Sequence, residues 1–251
     1  MANSRVVGIL GGMGPLATAD LYRKIIEFTP AHRDQDHLHV IIDADPTVPD
    51  RTEALLRGGE DPTPWLVAGG RRLRAAGAAF IVMPCNTAHA FLPRVQPLVE
   101  IPFVSMIAEA AREAARRVSP GAPVGILATS GTVAAALYQH ELDRLGLRPI
   151  VPDRAEQAAV ETAINLVKAG EVGPAATDQV LIAARALERD GAAALIAACT
   201  ELPIVLRQDD VAVPLIDATA ELARAAVTAA TRGDPVDTAA PAEGDRHAAD
   251  S

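Results

Sequence analysis

Two stretches far apart in this chain are built on one plan, and that repetition limits the fold more than any other feature. VGIL at residues 7–10 returns at 124–127, followed in each case by a small-residue loop, GGMG and then ATSG. Gly77 precedes Cys85 by eight residues with AAFIVMP between them, and Gly191 precedes Cys199 by the same eight with AAALIAA between. IPFVS from 101 and VPLID from 213 complete the pattern, so three pairs recur in one order at offsets of 117, 114 and 112. An internal duplication is the simplest account.

Within each copy, buried strands alternate with helical stretches, the pattern of a parallel sheet covered by helices. RVVGIL reads as a strand, GGMG as a turn, and PLATADLYRKIIEFT as a helix with Pro15 near its first position. HLHVIIDADP reads as a second strand closed by a proline-rich loop through Arg51, and TPWLVAGGRRLRAAG as a helix stopped by Gly77. AAFIVMP is then a fully buried strand that delivers Cys85 at its C-terminal end. The fold expected is α/β, with two pseudo-symmetric lobes, each a mostly parallel sheet flanked by helices. Residues 1–104 with 214–232 are expected to form the first lobe and 105–213 the second, with crossings near 103–107 and 210–215. The tail, 233–251, has few large apolar residues and is expected to be disordered.

Composition removes several partner classes. The net charge is −9, of which −4 lies in the tail, where five acids from Gly233 onward face Arg246 alone. Nucleic acid and anionic membrane both require a positive field, so neither is expected as a partner. No run of about 18 apolar residues could span a bilayer, and a cytoplasmic location is expected. The chain has two lysines, Lys24 and Lys168, and two cysteines. Two cysteines without CxxC or Cys/His spacing suggest neither a disulfide framework nor a metal site. His32, His37 and His39 read as solvated, and His89 as a structural hydrogen-bonding partner.

In open α/β sheets, ligands bind beyond the carboxyl ends of the strands. Two lobes with those ends facing each other would bring Cys85 and Cys199 to one cleft. A cysteine just before a helix N-terminus is expected to have its thiol pKa lowered by backbone N–H groups and the helix dipole. With a substrate carbon between two such thiols, one thiolate removes a proton and the other thiol returns one from the far side. The carbon is inverted without a cofactor, provided the site stabilises the developing carbanion and excludes water. Suitable donors stand at the strand ends: the GGMGP loop around Met13, Asn86 and Thr87 after the first thiol, Thr129, Ser130 and Thr132 in ATSGT, and Thr200 and Glu201 after the second. Taken singly, each such Ser, Thr or Asn also reads as a helix N-cap.

GILGGMGPLAT, PDRT, PCNTAH, GILATSGT, LVKAG and CTELP occur in that order between about residues 5 and 220. In these motifs the chain resembles the aspartate/glutamate racemase family, in its aspartate racemase branch. The resemblance implies a small amino acid as substrate, aspartate first, racemised by two bases with no cofactor and no metal, in a homodimer. It implies Cys85 and Cys199 as the acid/base thiols, and Arg51 and Lys168 as the cations that recognise substrate carboxylates. Relatives with broader amino acid specificity share most of these motifs, glutamate racemisation is an alternative, and other branches of the superfamily use related thiol sites for maleate isomerisation or decarboxylation.

Two other classes compete. Gly12, Gly14 and Ala17 fit GxGxxA, a dinucleotide fingerprint, but the strand-end acids Asp43 and Asp45 lie 29 and 31 residues past Gly14, where about 20 is needed. That reading also leaves the duplication unexplained. A two-lobed binding protein would instead keep both cysteines as unreactive packing residues.

Overall fold

The computed structural model describes residues 4–232; the tail expected to be disordered lies outside the described residues. The first half of the chain runs β1 (Val7–Gly11), α1 (Pro15–Phe28), β2 (Val40–Ala44), α2 (Arg51–Leu56), α3 (Thr63–Ala75), β3 (Phe80–Val82), α4 (Leu92–Val99), β4 (Phe103–Val104) and α5 (Met106–Arg117). The second half runs β5 (Pro123–Ala128), α6 (Ser130–Ala134), α7 (Leu137–Arg144), β6 (Arg148–Ile150), α8 (Arg154–Lys168), α9 (Pro174–Arg189), β7 (Ala194–Ala198), α10 (Leu202–Val205), β8 (Leu215–Asp217) and α11 (Ala218–Arg232). Each half forms one four-stranded parallel sheet, ordered β2-β1-β3-β4 and β6-β5-β7-β8. The duplicated α/β architecture is therefore present in the topology as well as in the sequence.

The alternation of side chains along the strands explains why both sheets are covered twice. Val7, Ile9, Phe80 and Val82 of the first sheet, and Val124, Ile126, Ala194 and Ile196 of the second, belong to one shared core that also takes in α5 and α11. Their neighbours point the other way: Leu10, Ile81 and Met83 pack with Leu66 and Leu73 of α3, and Leu127, Leu195 and Ala197 with Val160 of α8 and Val180 of α9. Two-sided burial requires near-continuous apolar strands, as the sequence shows.

The turns repeat as well. Gly77 (φ 99°) and Gly191 (φ 88°) both adopt the left-handed conformation that ends α3 and α9 and starts the cysteine-bearing strands, a geometry that favours glycine. Pro15 begins α1 as the sequence suggests.

Two expectations differ from the structure. Arg51 is not in a loop: Asp50 accepts from the Glu53 amide at 2.9 Å, and this cap starts α2 at Arg51. The boundary drawn at 214 also separates β8 from its sheet, because Leu215–Asp217 pairs with Leu195–Ala197 of β7 in the second lobe. Lys24 of α1 bonds Asp217 at 2.6 Å and so ties the first lobe to that strand.

Candidate active site

Both cysteines sit just past the C-terminal ends of equivalent strands, β3 and β7, and both open on one chamber between the lobes. From the first lobe the chamber is lined by Met13, Arg51, Cys85, Asn86 and Thr87, and from the second by Thr129, Lys168, Cys199 and Thr200. Ser130 is not brought in; its amide donates to Glu161 Oε1 at 2.5 Å. Glu201, which the second thiol motif brings along, lines the chamber too, as do Asp50 and Thr52, to which the sequence motifs gave no role in binding. The chamber's cavity volume is ≈ 20 Å³, about the room one water needs. An outer recess of ≈ 540 Å³ shares Met13, Asp50, Arg51, Lys168 and Glu201 with it and adds Pro15, Leu16, Val48 and Val167.

Several polar groups in the chamber lack partners. Tyr138 of α7, fully buried, donates its hydroxyl to Asn86 Oδ1 at 2.6 Å across the lobe boundary. That bond fixes the Asn86 amide, whose Nδ2 is buried without an acceptor. Arg51 gives Nη1 to the carbonyls of Val48 and Pro49 while its buried Nε has no partner. Orphaned buried donors are costly unless something binds them, so the chamber is prepared for an acceptor such as a carboxylate.

The lobes touch closely beside these groups. Thr87 Oγ1 lies 2.9 Å from both Thr129 Oγ1 and Thr132 Oγ1, and the last two are 3.0 Å apart. Thr129 also caps α6, so the cap and the cavity-wall readings both hold for it. Gly131 permits the approach: a Cβ there would be 2.7 Å from Thr52 Oγ1 and 3.0 Å from Thr87 Cγ2.

Charge is distributed unequally over the two thiols. Burial works to lower the Arg51 pKa, but the pull of Cys85, Asp50 and Glu201 outweighs it and the guanidinium is held above its usual range. On the other side, Cys199 Sγ donates to Glu201 Oε2 at 3.0 Å. Burial first, and then the Glu201 charge, push the Cys199 thiol well up, with Lys168 opposing. The lowered pKa expected from a helix N-terminus therefore does not hold at Cys199: α10 has only four residues, and an anion stands closer. His89 binds the Cys85 carbonyl through Nδ1 at 2.8 Å and accepts the Met106 amide at Nε2, 3.1 Å. It is the structural partner the sequence suggested.

Among the described residues no cluster of three or more His, Cys, Asp or Glu could hold a metal, and no helix is long and apolar enough to cross a membrane. Both cysteines are free thiols.

With this geometry in view, comparison with known proteins is direct. The sequence profile described as Asp/Glu/hydantoin racemase matches residues 10–226. The chain belongs to this family. It is similar to the broad specificity amino-acid racemase RacX of Bacillus subtilis (strain 168), 29% identical over 228 residues that cover 89% of this chain and 97% of that protein. Among solved structures, the aspartate racemase of Picrophilus torridus superposes with a TM-score of 0.80 at 31% identity, covering 89% of this chain and 93% of that one. An aspartate racemase homologue from Pyrococcus horikoshii OT3 superposes with a TM-score of 0.73 at 26% identity, covering 90% and 99%. The glutamate racemase of Francisella tularensis, at 0.65 and 17% identity over 88% and 79%, shares the fold. As a racemase-family enzyme, the chain is an isomerase that acts on small amino-acid-type substrates.

Proposed function

We propose that this enzyme interconverts L- and D-aspartate without pyridoxal phosphate, metal or any other cofactor, by proton transfer to and from Cys85 and Cys199. The observation that carries the reading is the meeting of both sulfurs, Arg51 and Lys168 at one small chamber between the lobes. The substrate carboxylates would accept from the Arg51 Nε and Asn86 Nδ2 donors that now lack partners, and from Lys168. The Cα would lie between the thiols. In one direction Cys85, the thiolate, takes the Cα proton, the electron pair stays on carbon and is drawn toward the α-carboxylate, and the Cys199 thiol delivers a proton to the opposite face. The products are the other enantiomer, a Cys85 thiol and a Cys199 thiolate, and the reverse reaction starts from that state. The difficult step is forming the carbanion, and the fixed donors at the carboxylate lower that barrier.

The outer recess supports a second reading. Its apolar side chains, Leu16, Val48 and Val167, could take substrates longer than aspartate, in line with the broad specificity named for the Bacillus relative.

One experiment separates these readings. Purified protein in deuterated water is given L-aspartate, and loss of the α-proton signal is followed with chiral analysis. Exchange with formation of D-aspartate supports the first reading. No exchange with aspartate, but exchange with glutamate or longer neutral amino acids, supports the second. No exchange with any amino acid overturns both.

A further inference from the structure

An amino acid carries an ammonium group into the chamber as well as carboxylate, and a buried ammonium requires an anion. Glu201 is 5% exposed. Its Oε2 accepts from the Cys199 thiol at 3.0 Å and the Thr200 hydroxyl at 3.2 Å. Its Oε1 faces Gly14, where a Cβ would be 3.7 Å away, and glycine leaves that side open. Among the described residues Glu201 forms no ion pair, although Arg51 and Lys168 line the same chamber. It is a buried carboxylate with one oxygen committed to a thiol and the other turned toward Gly14, at the outer recess that Glu201 shares with the chamber.

We propose that Glu201 receives the substrate ammonium at Oε1, and that this contact frees Cys199 from the carboxylate's charge. The inference rests on the reading that the substrate is an amino acid. In the empty site the carboxylate beside Sγ holds Cys199 as a thiol, the form needed to donate a proton. Once the ammonium neutralises Glu201, the thiolate left after that donation is no longer opposed by an anion 3.0 Å away. Lys168 on α8 then favours it, while Arg51 on α2 faces Cys85 and Glu201. Cys85 on the first lobe is by then protonated, and Tyr138 on α7 stays neutral because burial raises its pKa. Substrate binding and the ionisation of the second thiol are thereby coupled through one side chain.

The test compares ligands that differ only in the amino group. Binding of L-aspartate and of succinate, which lacks it, is measured by calorimetry on wild type, Glu201→Gln and Glu201→Asp. Loss of a charged hydrogen bond is expected to weaken aspartate about ten- to a hundredfold in Glu201→Gln, with succinate unchanged or tighter. Glu201→Asp is expected to restore part of the preference, which a merely structural role would not do. Equal loss for both ligands overturns the proposal. If wild type binds neither, the aspartate reading fails, and the pair alanine and propionate puts the same question to Glu201; no preference for any amino acid over its deaminated counterpart overturns the ammonium role. A separate titration needs no substrate. With Cys85→Ser, Cys199 is the one remaining thiol, and its ultraviolet thiolate absorbance should shift to lower pH by about one unit or more on adding Glu201→Gln. An unmoved midpoint overturns the coupling.

Discussion

Two residues past Cys85 stands Thr87; two residues past Cys199, at the matching place in the second lobe, stands Glu201. Thr87 spends its hydroxyl on Thr129 and Thr132 and helps join the lobes. Glu201 puts a carboxylate on its own thiol. The sheet order around the two sulfurs is repeated, while the charged groups beside them differ: Arg51 faces the first and Glu201 the second. A duplicated sheet supplies two equivalent positions for the sulfurs, and their charged neighbours come from elements that are not equivalent, α2 for Arg51 and the turn after β7 for Glu201.

The sharpest way to break the comparison is to remove either sulfur. Cys85→Ala and Cys199→Ala should each reduce racemisation by about 10³-fold or more while leaving the circular dichroism spectrum unchanged. Full activity in one variant would show that the lobes are not both needed.

A second difference lies four residues past each cysteine, where the first lobe has His89 and the second Pro203. Burial lowers the His89 pKa from 6.5 to about 4. The folded pKa is below the unfolded one, so the stability this neutral ring contributes is complete above 6.5 and is lost as pH falls toward 4. The loss should reach about 3 kcal/mol by that pH. Urea midpoints measured across this window should fall in wild type and stay flatter in His89→Gln. If the two slopes match, some other group governs the acid response.

Gly131 and Gly14 also occupy matching positions, 117 residues apart, but only Gly131 is hemmed in by the other lobe. Gly131→Ala should cost about 1–3 kcal/mol and lower kcat/KM by moving Thr87 away from Thr129. An unchanged urea midpoint would show that the interface relaxes freely. The smallest effect is expected at Tyr138→Phe, about 1 kcal/mol of stability, together with a raised KM and little change in kcat because Asn86 is no longer held. A fall in kcat alone would place Tyr138 closer to the chemistry.

The sequence made the repeated lobes and the paired thiols legible because both depend on backbone period: buried strands between a left-handed glycine and a cysteine leave a linear trace. β8 sits at the edge of the second sheet as β4 does in the first, which the match of VPLID with IPFVS implies and the boundary at 214 overlooks. The proline-rich approach to Arg51 reads as a loop because it hides the Asp50 cap. Tyr138 reads as an ordinary core residue in α7, and only the fold brings its hydroxyl to Asn86, 52 positions away. Glu201 lies inside a legible motif, yet its partner is set by a side-chain rotamer. The ATSGT loop puts Ser130 at a strand end beside Thr129, but at the start of α6 its amide turns to Glu161.

The unequal thiols also meet a limit set by detailed balance. Mirror-image amino acids have equal free energies in water, so a racemase must reach an equal mixture, and its kcat/KM is the same from either side. The carboxylate on Cys199 can therefore favour neither product. It can divide kcat and KM differently between the two directions: one enantiomer meets the abundant protonation form of the enzyme, and the other must wait for the scarce one.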